Sequence, residues 1–168
     1  MKVLERSAER LVLGMGPQEK IVLERLLAFF PLGPDREPML SKGGLSGGEG
    51  AQELLREALR EERVELLEWL RRHLEEGTSL RRVGSGWSLA LGMSDVDRLL
   101  RVLNELRVGA WTRLGCPEEL HEEPSGAKPG EAPFFVIMTL AGQFEMVLNQ
   151  AMGPGGAPVT SQEPGKGE

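Results

Sequence analysis

Two stretches of the chain share one pattern. Apolar residues alternate, a glycine stops the alternation, and apolar residues then recur every three or four positions. The first stretch is LVLGMGPQEKIVLERLL, Leu11 to Leu27, and the second is LALGMSDVDRLLRVLNE, Leu89 to Glu105. Set one over the other, Leu11 falls on Leu89, Leu13 on Leu91, Gly14-Met15 on Gly92-Met93 and Ile21 on Leu99. Alternation marks a strand, and three-to-four spacing marks a helix. Pro17 suits a first helical turn because its missing N–H would have no partner there, and Glu19 meets the positive helix end. In the second copy Ser94 is the expected cap, with Asp97 three residues on in a capping-box-like arrangement. A strand-like run precedes each copy: KVLE before Ser7-Ala8-Glu9, and SLRRV before Gly84-Ser85-Gly86. Two hairpins, each feeding a helix, are therefore predicted. A lone hairpin is marginal in water, so the two should join as one small four-stranded antiparallel sheet.

Between the copies, Leu55, Leu59, Leu66, Leu70 and Leu74 form one stripe at helical spacing and predict a long helix over Ala51 to Glu76, closed by Gly77. Its other faces carry Glu and Arg, with Glu68–Arg72 an example at i,i+4. A last helix runs from Glu131 to Met152. Gly-rich and polar loops are expected at 33–49 and 115–131, and a disordered tail at 153–168. The fold class is α+β and predominantly helical, one domain over 1–152, with a long central helix and a buried C-terminal helix.

Against this pattern two charges stand on apolar faces. In the helix after Ser94 the stripe is Leu99, Leu103, Leu106, Ala110 and Leu114. At roughly 100° per residue, Arg107 projects about 40° from Leu103, while Arg98, Arg101 and Glu105 point the opposite way. The last helix has the stripe Phe134, Ile137, Ala141, Phe144, Leu148 and Met152. Glu145 projects about 40° from Ala141 by the same geometry. A buried charge without a partner is too costly to keep, so Arg107 and Glu145 are predicted to meet, with Asn104 and Asn149 alongside. This is either a structural ion pair locking two helices or an anion site with Arg107 as its fork. Trp87 and Trp111 are candidate aromatic walls, or else core side chains.

Composition narrows the function classes. With 168 residues, 40% of them hydrophobic, the chain fills one core. Its formal charge of −6 disfavours nucleic acid and anionic lipid, although Arg71-Arg72, Arg81-Arg82, Arg98 and Arg101 form a basic set. The single Cys116 excludes an internal disulfide and fits a reducing compartment. No signal-peptide run opens the chain, and FFVIMTLAG is too short to span a bilayer, so a cytoplasmic protein is expected. Cys116, His73 and His121 share no metal-ligand spacing, and no catalytic motif is present. No cofactor is called for.

One motif and one longer segment resemble known families. LSGGE, Leu45 to Glu49, resembles the LSGGQ signature of ATP-binding-cassette ATPases. That loop works only with a Walker A loop, and the lysine that follows a glycine here, Lys166, is followed by Gly167 rather than Ser or Thr. No ATP site is expected, and the stretch reads as a connection between helices. LLRVLNELRVGAWTRLG, Leu99 to Gly115, resembles a bacterial domain-of-unknown-function family numbered two thousand and seventeen. The matching positions are Leu103, Asn104, Glu105, Leu106, Arg107, Thr112, Arg113, Leu114 and Gly115, and LAGQFEMVLNQAM resembles that family's last helix. The resemblance implies a mostly helical cytoplasmic protein. Family genes often lie near those of a Clp protease adaptor and sulfur carriers, which implies regulation or protein turnover. The hairpins and glycine-rich segment here depart from the family pattern.

The expected function is a non-catalytic protein-interaction or regulatory module that binds a protein partner or itself. The alternative is a small-anion-binding protein or enzyme centred on Asn104, Arg107, Arg113 and Glu145. Nucleic-acid binding is the weakest reading.

Overall fold

The computed structural model describes residues 1–32, 48–74, 79–117 and 130–153. Its elements run β1 (Lys2–Arg6), β2 (Arg10–Met15), α1 (Pro17–Leu27), α2 (Gly48–Leu74), β3 (Leu80–Val83), β4 (Gly86–Gly92), α3 (Met93–Arg113) and α4 (Ala132–Met152). The segment at 33–47, with Leu45-Ser46-Gly47 of the signature-like stretch, lies outside the described residues, as do Gly77, His121 and the tail from 154.

Four strands form one antiparallel sheet in the order β1-β2-β4-β3. The repeat explains that order. Sequence alignment sets Leu11 on Leu89 and Leu13 on Leu91, whereas the ladder pairs Leu11 with Leu91 and Leu13 with Leu89. Both relations hold together only if the central strands are related by a two-fold axis through the Val12–Ala90 pair. Each copy then sends its helix to the same face of the sheet, where Leu11, Leu13, Met15, Leu80, Leu89 and Leu91 are buried. The outer strands depart from this symmetry. The β3–β4 hairpin closes with Gly84-Ser85 between Val83 and Gly86, and Gly84 has φ +58°, a conformation open to glycine at little cost. The β1–β2 connection is longer and β1 carries an irregularity between Val3 and Glu5.

Helix starts differ in part from expectation. In α1 the Glu19 carboxylate accepts from the Gly16 N–H at 2.7 Å, and the Met1 amino group also sits against it. In α3 the cap is Gly92, not Ser94. The strand passes directly into the helix because the Met93 N–H bonds to the Glu9 carbonyl at 3.2 Å, which leaves Ser94 and Asp97 inside the helix and exposed. The C-terminus of α4 is capped from the sheet: Arg6 donates to the Met152 carbonyl at 2.7 Å and to that of Gly153 at 2.5 Å.

The core lies between the sheet, α1, α3 and α4. Val96, Val102, Leu103, Leu106 and Ala110 of α3, with Ala141 of α4, are fully enclosed. Helix α2 begins at Gly48, earlier than predicted, and its described part ends at Leu74. It buries Leu66, Trp69 and Leu70, while Leu55, Leu59 and Leu74 of the same stripe are half-buried. The Glu68–Arg72 spacing is used differently: Arg72 Nε donates to the Glu68 backbone carbonyl at 3.3 Å.

Helix α4 corrects the reading of its apolar segment. At 21 residues it is the one helix among the described residues long and apolar enough to cross a membrane. Here its inner face packs on the body through Ile137, Met138, Ala141, Leu148 and Ala151.

Candidate functional site

Helical geometry placed Arg107 of α3 and Glu145 of α4 on facing sides, and the two meet, with Arg107 Nε 2.9 Å from Glu145 Oε2. Asn104, one turn earlier on α3, accepts from Arg107 Nη2 at 2.9 Å. The expected burial is only half realised. Glu145 keeps 15% of its side chain exposed, but Arg107 keeps 45%. The reason is depth: Leu103, Leu106 and Ala110 fill the seam completely, so the arginine runs along its rim. There its Cδ lies 3.7 Å from where a Cβ on Gly142 would be, an ordinary van der Waals contact that an alanine would also permit. Glu145 Oε1 is buried and has no hydrogen-bond partner among the described residues.

Of the other predicted residues, Arg113 stands at the end of α3 with its guanidinium over the Phe134 ring at 5.9 Å, away from the pair. Asn149 is exposed, and its carbonyl accepts from the Gly153 N–H at 2.9 Å. Of the two indoles, Trp87 packs against the edge of the core, whereas Trp111 lies outside it. Trp87 is half-buried, with the Lys20 ammonium 4.5 Å from its centroid. Trp111 is 38% exposed, and its Nε1–H donates to the Pro117 carbonyl at 3.1 Å.

Beside the Arg107–Glu145 pair lies a groove of about 770 Å³. Val108 and Trp111 wall it from α3, Met138, Thr139 and Gly142 from α4, and Pro117 closes one side, with Arg107 on its rim. On the other flank of α4 a second groove of about 440 Å³ opens between α1 and α4, walled by Val22, Leu26, Phe29, Pro133, Val136 and Leu140, with Arg25 at its edge. Its lining is almost wholly apolar.

A polar cluster that periodicity did not single out joins α2 to the start of α3. Asp95 accepts from Trp69 Nε1 at 2.8 Å and from Arg98 at 2.9 Å, with His73 Nε2 at 3.5 Å. Burial alone would push the Asp95 carboxyl up. The hydrogen bonds from Trp69 and Arg98, with the charges of His73 and Arg98, outweigh it and hold the pKa below the ordinary 3.8. Further along the same seam Arg101 meets Glu62 at 2.6 Å and Arg63 meets Glu105 at 3.0 Å. Of the basic set, Arg101 thus bridges α3 to α2, while Arg98 pairs within α3 with Asp95. The signal for this seam was Trp69 and His73 four residues apart on one helix face, but nothing in one chain's spacing names a partner on another helix.

Among the described residues no three of His, Cys, Asp and Glu stand close enough to hold a metal ion. Cys116 is exposed in a left-handed backbone conformation, φ +57°, just past the end of α3. Comparison with protein-family models, curated proteins and solved structures finds no match for this chain.

Proposed function

We propose that this chain is a non-catalytic protein-interaction module whose working surface is the outward side of α4. One observation carries the reading. The helix is apolar enough to cross a bilayer, yet only 28% of its most apolar window is buried against the body. Its single charge, Glu145, is turned inward to Arg107, so the outer side is uncharged, with Val136 52% and Met146 54% exposed among the polar Thr139, Gln143, Asn149 and Gln150. Exposed apolar surface of this kind marks a binding face. A protein fits it better than a lipid surface for two reasons. The flank next to α1 is concave, shaped for protruding side chains, and the chain's net charge of −6 is repelled by anionic headgroups. Regulation through such a contact agrees with the role that the family resemblance of Leu99 to Gly115 implies.

The test is affinity capture with the immobilised chain, wild type against Val136→Glu, with Val64→Glu on the exposed side of α2 as the control. A protein retained by wild type and by Val64→Glu, but lost with Val136→Glu, supports the reading. Equal retention by all three, or binding of the wild type to neutral lipid vesicles in place of any protein, overturns it.

A further inference from the structure

We infer that the α3–α4 groove is a binding site for a carboxylate carried on an apolar body. The inference is independent of the protein-binding contact at Val136, which lies on the α1 flank of α4. A guanidinium has five N–H donors in a planar fork. At Arg107 one goes to Glu145 and one to Asn104, both at 2.9 Å, and no other partner is found for it among the described residues. The two bonds hold the head, and the side chain, which lines the groove, stays 45% exposed. An arginine that only locked the helices would gain by being covered. This one is oriented and left open.

The walls define the rest of the ligand. Val108 and Met138 offer aliphatic surface, and Trp111 offers its ring, since its one polar atom is tied to the Pro117 carbonyl at 3.1 Å. Thr139 is exposed at the mouth. A space of about 770 Å³ lies within the size range of small-ligand sites, in which apolar walls and one placed polar group are the usual arrangement. The head group follows from charge. Glu145 already offsets Arg107, and no second cation among the described residues lines the groove to balance the further charge of a dianion such as a phosphate monoester. A planar monoanion can take the open edge of the fork with two parallel hydrogen bonds. Two sources share this chemistry: a free aliphatic or aryl acid, and the C-terminal carboxylate of a peptide ending in an apolar residue.

The experiment is a calorimetric titration of the full chain, below any micelle concentration, with octanoate, acetate, octanol, octyl phosphate, and a peptide ending in leucine as the free acid and as the amide. Octanoate or the free-acid peptide binds, and the tighter of the two identifies the source. Acetate, octanol and the amide bind at least tenfold more weakly. Arg107→Gln lowers affinity at least tenfold. Thr139→Phe fills the mouth from an exposed position, leaves the ion pair intact, and abolishes binding, so a folding defect in the first variant does not decide the matter. Val136→Glu leaves octanoate binding unchanged, which separates this site from the protein-binding face. Octanol binding as well as octanoate, octyl phosphate binding more tightly than both, or unaltered affinity in Thr139→Phe overturns the assignment.

Discussion

Removing either member of the Arg107–Glu145 pair breaks the same contact, yet the two losses should differ. In Arg107→Met the Glu145 carboxylate stays in a site where 15% of its side chain reaches water, with Oε1 already unpartnered and Oε2 newly so. An unsatisfied, largely desolvated group of this kind costs about 1–3 kcal/mol. In Glu145→Met the survivor is a guanidinium that is 45% exposed, which water and Asn104 can solvate. The lost contact is then worth no more than an exposed pair, ~0–1 kcal/mol. A methionine packed beside Ala141 and Leu148 recovers part or all of that by apolar burial. Glu145→Met should therefore be neutral within about 1 kcal/mol, and the double variant should resemble it rather than Arg107→Met. Urea unfolding reads this as a lower midpoint for Arg107→Met alone, at unchanged slope. Equal losses in the two single variants, or a larger loss for Glu145→Met, would refute the asymmetry and with it the view that Arg107 sits at a rim.

Three further outcomes follow from the fold. Asp95 has its folded pKa below the unfolded value, so its stabilisation is complete above the ordinary 3.8 and is lost as pH falls through the lowered value; the melting-temperature gap between wild type and Asp95→Asn should narrow in acid, and a constant gap would contradict this. Asp95→Ala leaves the buried Trp69 indole N–H without its acceptor and should cost about 1–3 kcal/mol by urea unfolding, whereas no loss would show that the seam does not hold α2. Gly84→Val forces a branched side chain to φ +58° and should cost about 1–2 kcal/mol; a neutral result would mean that the hairpin turn relaxes to another form.

The parts of the molecule differ in how far they could be read before folding. The sheet was legible because the strand pattern occurs twice. Leu11 over Leu89 in the alignment and Leu11 beside Leu91 in the ladder are two views of one two-fold relation. The Arg107–Glu145 contact was legible because an angle around a helix axis says which side chains share a face. Its exposure was not, since an angle carries no information on depth; that depended on Leu103, Leu106 and Ala110 filling the seam. The cap at Gly92 was missed for a related reason. Ser94 is a good cap in isolation, but the sheet contact between Met93 and Glu9 starts the helix sooner. The α2–α3 seam joins residues far apart in the chain, Trp69 to Asp95 and Arg63 to Glu105, and no local period reports such pairings.

The claim that the outer side of α4 is a protein-binding face is tested most directly by a photo-crosslinking scan. A photoreactive amino acid is placed in turn at Val136 and Met146 on α4, and at Leu54 and Val64 on α2, in the full chain expressed in its own cells. All four side chains are exposed, Leu54 at 74% more than either α4 position, so exposure alone would favour α2. The account predicts one discrete protein adduct from Val136, Met146 or both, and none from the α2 positions. Adducts of equal yield at all four positions, or adducts from α2 alone, would contradict it.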